Sequence, residues 1–501
     1  MLSFLITISA LILFIVSLLS KFRTSPSKTL RPLPPGPPGL PIIGNLHQLD
    51  STSDLPDYLW RLSRHYGPLM SLRLGFVQTL VVSSAEMAKE VLKTKDSIFC
   101  NRPSLTGQKT LSYNNKDIAF SPYSDYWRQM RKTCTLHLFS IKQVNSFRYV
   151  REEEVFEMIN TIKTRLSTKK IVNLSEIVMI LTSNIISRVA FGKRQSSYDD
   201  EQEEVSRFHE LLLECQALLV NFYYRDHFPL MGWLDKLNGS IARLEKAFNN
   251  MDEIYEQLID EHLNRSRSNK MPNNMVDTLL ELKQDYSDSS VDLTFDHIKA
   301  VLMNILLGGT ETSASTVIWA MTLLMKNPES LKKVQQEVRN VIGNKGKVHE
   351  DDLYKLTYLK AVIKETLRLY PVAPLLVAHE SRERCVLDRY EIPKKTLVYV
   401  NVWAVGRDPK YWEKPEEFNP DRFIGSNIDY KGSYFELIPF GSGRRGCPGM
   451  SMGATTIEVA LSNLLYSFDW QVPEAKMEID TLMSPGTVTH KKNALQLVAS
   501  V

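Results

Sequence analysis

Charge of one sign, paired cysteines and repeats are all scarce in this chain. Across 501 residues, 61 Lys and Arg stand against 57 Asp and Glu, a formal net charge of +4. That balance is too even to carry the chain to nucleic acid. The five cysteines, at 100, 134, 215, 385 and 447, include no C-x-x-C pair. This argues against a zinc site and a disulfide scaffold and fits a reducing compartment. No internal repeat or long low-complexity segment occurs. Length alone suggests two to four domains, but no break in composition after residue 50 supports a split. With 43% apolar residues, one large domain with a large core is expected.

Charge is missing altogether from residues 1–20. As a helix this stretch spans about 30 Å, the hydrocarbon thickness of a bilayer. A cleaved signal peptide needs basic residues before its apolar run; here Lys21, Arg23, Lys28 and Arg31 follow it. The positive-inside rule keeps them cytosolic and the N-terminus lumenal. The expectation is an uncleaved transmembrane anchor over 1–20, a basic and proline-rich hinge over 21–41, and a catalytic domain over 42–501. Prolines as dense as those at 32–41 form a stiff, extended spacer.

Most of the remainder has helical periodicity. Residues 69–82 alternate around Gly75 as a β-hairpin does, 386–402 form a second β-rich patch, and 494–499 read as a terminal strand. Residues 194–204 and 264–275 are polar connections. The fold class is therefore mainly α with smaller β-sheets. Residues 295–326 read as one long buried helix. Its middle holds Gly308, Gly309, Thr310, Glu311 and Thr312. Interior glycines cost roughly 1 kcal/mol each against alanine, and a buried acid costs more unless bonded. A functional break in the helix is expected. The plainer reading is that Thr312 bonds back to the Gly308 carbonyl and bends it.

The densest cluster of chemistry is PFGSGRRGCPGM, residues 439–450. Glycines 441, 443, 446 and 449 crowd one sulfur, that of Cys447, beside Arg444 and Arg445. Pro448 fits a first helical turn, which would put Cys447 at a helix N-terminus and favour its thiolate. A metal ligand, a nucleophile and an inert buried cysteine all remain open on these residues alone. Trp127 and Arg131, four apart on one helix face, suit a carboxylate partner or form a plain amphipathic helix. Glu365 and Arg368 stand at i and i+3.

Phe440, Gly443, Arg445, Cys447 and Gly449 have the spacing F-x-x-G-x-R-x-C-x-G. The loop resembles the haem-binding loop of the cytochrome P-450 (haem-thiolate) monooxygenases, and the resemblance extends from the proline hinge to the C-terminus. It is closest to the plant microsomal A-type, or seventy-one clan, members. It implies a cytochrome P-450 fold with haem b held through Cys447 as axial thiolate. Arg445, Trp127 and Arg131 would bind haem propionates, and Phe440 would pack near the sulfur. The pattern [AG]-G-x-[DE]-T at 308–312 implies that Glu311 relays protons and Thr312 hydrogen-bonds dioxygen. Glu365, Arg368 and Arg422 match a structural triad. His379 stands where related enzymes often have an arginine reaching a propionate. Pocket walls would come from 103–120, 304–312, 372–377 and 484–488, with Ile305, Gly308, Gly309, Leu375, Leu376, Val377 and Val488 as lining residues. Ordinary core is the other reading for such apolar side chains.

The implied activity is an NADPH- and O2-dependent oxidation of a small, largely apolar plant metabolite. Electrons would come from NADPH–cytochrome P-450 reductase, with cytochrome b5 as an optional second donor. The catalytic domain would sit on the cytosolic face of the endoplasmic reticulum membrane. Arg128, Lys132, Lys142, Arg148 and Arg444 would offer the donor a basic surface. Two other classes remain: a haem-thiolate isomerase or dehydratase needing no reductase, and a membrane-tethered haem carrier. The intact Glu311–Thr312 pair argues against both.

Overall fold

The structure is a computed structural model and describes residues 31–49, 54–168, 171–194, 203–264, 274–285, 293–474, 478–484, 486 and 488–501. Expectations for 1–30, and for most of 194–204 and 264–275, lie outside these residues. In chain order the elements begin with α1 (Leu55–Tyr66), β1 (Leu69–Leu74), β2 (Val77–Val82), α2 (Asp125–His137), α3 (Arg148–Thr168), β3 (Ile171–Asn173) and α4 (Leu174–Phe191). Next come α5 (Glu203–Val220), α6 (Ser240–Asn264), α7 (Met275–Asp285), α8 (Phe295–Lys326), α9 (Pro328–Ile342) and α10 (Thr357–Leu369). The rest are β4 (His379–Glu380), β5 (Cys385–Leu387), β6 (Tyr390–Ile392), β7 (Leu397–Val400), α11 (Met450–Ser467), β8 (Asp469–Gln471), β9 (Met483–Ser484), β10 (His490–Lys491) and β11 (Gln496–Ser500).

Helices α4 and α8 are apolar on nearly every face, so neither has a side suited to water. They pack on each other at the centre, and α11 closes against α8. Thr294 caps α8, with its N–H donating to His297 Nδ1 at 3.0 Å. Its last turn stops before Pro328, because the residue preceding a proline avoids helical backbone. The main sheet runs β1-β2-β7-β4. In the hairpin, Leu69 faces Val82 and Leu74 faces Val77. Gly75 opens its two-residue turn at φ +63°, a conformation a side chain would strain.

The helix bounds 295–326 and the hairpin agree with the sequence reading, and three details differ. First, α8 is unbroken: Thr312 Oγ1 donates to the Gly308 carbonyl at 2.7 Å, so the hydroxyl is satisfied within the helix and nothing forces it open. Second, the 386–402 patch divides. The hairpin β5/β6 stands alone, β7 joins β2 in parallel, and Val402 starts a short helix. Third, the proline segment is no free spacer. Pro32 and Pro35 carbonyls accept from Glu391 and Ser71 N–H groups at 3.0 and 2.8 Å, docking it against the β-structure.

Candidate active site

The Cys447 loop is held by its own backbone. The Cys447 N–H donates to the Phe440 carbonyl at 2.9 Å, and the Gly446 N–H to that of Gly443 at 3.1 Å. Gly443 is required twice over. Its φ is +69°, and an added Cβ would stand 2.1 Å from the Leu92 carbonyl oxygen. Phe440 packs its ring against Tyr430. Gly449 is the N-cap of α11, whose first residue is Met450. Cys447 therefore precedes the helix by two residues more than Pro448 suggested.

The thiol sits deep under protein mass yet carries accessible surface. Burial pushes the Cys447 thiol up; a bond from the Gly449 N–H and the charge of Arg131 only partly oppose this. The expectation of a lowered pKa is thus corrected for the protein alone. Desolvation disfavours the thiolate by more than one N–H and one guanidinium favour it.

Two other segments approach the loop and the helix that follows it, from α8 and from 372–378. Gly308 is exposed and Thr312 half-buried within an otherwise buried helix, and a Cβ on Gly308 would meet nothing within 4 Å. Ser313 lies against Gly453 of α11, and Leu376 against Gly441. Leu376, at φ +54°, sits in a strained turn. Of the other lining candidates, Leu375 sides with Leu59, Met70 and Leu72. Val377 and Ile305 belong to the main core, and Val488 packs with Trp319 and Val372. A Cβ on Gly309 would press the flexible tip of Ile186 at 2.6 Å.

A buried basic cluster stands beside the loop. Arg445 donates to the Cys100 and Ser121 carbonyls at 2.8 and 2.7 Å and lies 3.8 Å over the Trp127 ring. Burial pushes it down to about 10. Trp127 Nε1 donates to the Ile118 carbonyl at 2.9 Å, so that donor is engaged within the protein. Arg131 donates to the Gly446 carbonyl. His379 is buried, with Nδ1 2.9 Å from the Phe99 carbonyl oxygen. Burial, then the charges of Arg102 and Arg445, hold it well below the usual imidazole range. It is therefore neutral near pH 7 in the protein alone.

Sequence reasoning missed Arg102. It is buried and donates to the carbonyls of Ala119, Val377 and Ala378, tying the 372–378 segment to 119. Its charge two residues after Cys100 was the only local signal. Burial lowers all three of Arg102, Arg131 and Arg445; the charges of Arg445 and Arg131 lower Arg102 further, and that of Arg131 lowers Arg445. Buried Asp117 is the acid among them, held by Asn304 and the N–H groups of Ala119 and Phe120.

This arrangement fits haem. Arg445 Nη1 is buried without a hydrogen-bond partner, and a propionate carboxylate would satisfy it. The accessible Cys447 thiol, two residues after Arg445, would supply the matching ligand. When bound, thiolate-ligated haem supplies the electron push that favours O–O cleavage.

Glu365, Arg368 and Arg422 meet in a cluster of their own. Arg368 Nε and Nη2 grip Glu365 at 2.7 and 2.8 Å, and Arg422 Nε reaches the same carboxylate at 3.0 Å. Of the surface cations, Arg128, Arg148 and Arg444 pair with Asp125, Glu152 and Asp96.

A helical protein with small sheets and a Gly-bounded cysteine loop under a central helix defines the haem-thiolate class. Comparison with known proteins agrees. The cytochrome P-450 family model matches residues 34–498, and the chain belongs to that family of haem-thiolate monooxygenases. It is 48% identical over 473 residues to a 6,7,8-trihydroxycoumarin synthase of Pastinaca sativa, covering 93% of this chain and 92% of that one. It is 48% identical over 463 residues to cytochrome P-450 71A1 of Persea americana, covering 91% of each. Among solved structures, a zebra fish cytochrome P-450 with progesterone superposes with a TM-score of 0.78 at 26% identity, covering 90% of this chain and all of that one.

Proposed function

We propose that this chain oxidises a small, largely apolar plant specialised metabolite, of which a coumarin-like aromatic is the first to test. The observation that carries this is a Cys447 thiol with accessible surface on a loop that Leu376 touches at Gly441, together with an exposed Gly308 and a half-buried Thr312 in the otherwise buried α8. Two 48% identical relatives of Pastinaca sativa are named for a trihydroxycoumarin and for 5-OH-xanthotoxin, which supports an aromatic oxygen heterocycle. Thr312 would orient dioxygen, with Glu311 feeding protons, while Arg445, Arg131 and Trp127 hold the haem end. His379, neutral and locked to Phe99, would fix the position of that end.

Electrons would come from NADPH through the partner reductase, with cytochrome b5 as an optional donor. The anchor over 1–20 and hinge over 21–41 would hold the catalytic domain, 42–501, on the cytosolic side of the endoplasmic reticulum membrane. An exposed apolar face supports the membrane reading. Ile43, Phe76, Phe222, Leu230, Trp233 and Leu237 are all exposed. Bonds from Gly75 to Ile43 and from Phe76 to His227, with Phe222 stacked on His227, join these segments.

The test is incubation of microsomes holding this protein and reductase with a panel of coumarins, with and without NADPH, read by mass spectrometry. A product one oxygen heavier that needs NADPH is expected. Rearranged or dehydrated product without NADPH would move the assignment to the isomerase class. Thr312→Ala should raise peroxide release at the expense of product; full product yield with no added peroxide would reject its role.

A further inference from the structure

Glu311 is buried to 1% exposure, and neither of its carboxylate oxygens has a hydrogen bond. An acid in that state is costly unless a cation stands beside it. A basic group comes from a distant part of the chain. His490 Nε2 lies 3.0 Å from Glu311 Oε2, at ion-pair distance. The other ring nitrogen, Nδ1, lies 2.9 Å from Ser315 Oγ. Glu311 and Ser315 stand at i and i+4, on one face of α8, so a single imidazole bridges both. The histidine is carried by β10, whose partner across the two-stranded sheet is Ser484 of β9. Its side chain is 27% exposed. Among the described residues, His490 is the one basic group paired with Glu311. The neighbouring cation, Lys491, is turned to Asp480 at 3.0 Å.

We propose that His490 is the positioning and proton-supplying partner of Glu311, linking the buried acid to solvent. This rests on the reading that Glu311 feeds protons to the site. In the step, the imidazolium Nε2–H bond breaks and an O–H bond forms at Glu311 Oε2. An ion pair becomes a neutral imidazole and a carboxylic acid, with no change in electron count. Solvent then returns a proton to the exposed ring. Ser315 fixes the ring through Nδ1, so that Nε2 is the nitrogen presented to the acid.

The test uses full-length, haem-loaded protein with reductase, as wild type, His490→Gln, His490→Phe, Glu311→Gln and the His490→Gln/Glu311→Gln double variant. Thermal unfolding of these proteins reads the pair without turnover. His490→Gln should lower Tm in the wild-type background and leave it nearly unchanged beside Glu311→Gln. Product per NADPH, peroxide per NADPH and the solvent deuterium isotope effect read proton supply. His490→Phe should lower product per NADPH by about tenfold, less than the ~10²–10⁴-fold of a general acid–base group because water can substitute in part. Peroxide should rise, the isotope effect should increase, and KM and the substrate-binding spectrum should stay as in wild type. Additive Tm changes overturn the pairing. Unchanged coupling and isotope effect overturn the proton-supplying role. If wild type turns over no substrate, the functional reading falls instead, while the Tm cycle still decides whether His490 and Glu311 act as a pair.

Discussion

Replacing Arg368 by lysine keeps the charge and most of the volume, yet it should be among the most damaging conservative changes in the chain. Arg368 is fully buried. It has five N–H donors, and all five are used: two on Glu365 and one each on the carbonyls of Gly406, Pro415 and Glu417. Lysine brings three donors on a point charge. At least two buried acceptors therefore lose their partner, at about 1–3 kcal/mol each. Glu365 is cushioned, because Arg422 Nε and the Asn419 N–H still reach it at 3.0 and 2.7 Å. The sum is about 2–6 kcal/mol, comparable with breaking a buried ion pair. Arg422→Lys should cost less, since its guanidinium is less deeply buried and its acceptors, the Glu413 and Glu417 carbonyls, lie near solvent. The assay is thermal unfolding of the purified proteins alongside haem content per chain. The expected order of Tm is wild type, then Arg422→Lys, then Arg368→Lys, with haem content falling in the same order. An Arg368→Lys protein that unfolds with wild type would refute the donor count as the source of the stability.

Gly443→Ala should abolish haem loading, because its Cβ would stand 2.1 Å from the Leu92 carbonyl oxygen at φ +69°; absorbance of the haem-thiolate complex checks this. Gly308→Ala should hold or raise Tm, gaining about 1 kcal/mol of helix propensity with nothing within 4 Å of the new methyl. It should at the same time change which substrates are accepted, as product profiling will show. Asp54→Asn should raise Tm at pH 7.5. Burial, then the charge of Asp57, hold the Asp54 carboxyl up at about 6, above its ordinary 3.8. The ionised form thus disfavours the fold above pH 6. The gain from asparagine should shrink as pH falls below 6 and vanish only below the ordinary 3.8, where wild-type Asp54 is protonated in both states. A gain independent of pH would show that charge is not its cause.

Local patterns carried much of the architecture. The alternation around Gly75 specified a hairpin, and its tight turn set the register from Leu69 to Leu74. Thr294 before an apolar run and Pro328 after it bounded α8 at both ends. The F-x-x-G-x-R-x-C-x-G spacing singled out Cys447. Each of these is a statement about residues a few positions apart, where backbone geometry alone determines which side chains share a face or a turn. The expected break in α8 failed for a related reason. Glycines weaken a helix, but a helix held by tertiary packing along most of its length keeps its ladder regardless of propensity.

What depended on distant residues was not legible. Arg102 reaches Val377 across 275 residues of chain, and His490 reaches the face of α8 from a two-residue strand. The thiol's pKa moved opposite to expectation, because desolvation depends on how much protein packs around the sulfur and no motif records that. By itself the sequence determined the elements, the cysteine loop and the Gly308–Thr312 patch, since those follow from covalent spacing and backbone sterics. Only the tertiary structure decided which charges are buried together and which acid meets which base. Burial and pairing arise from the packing of segments far apart in the chain.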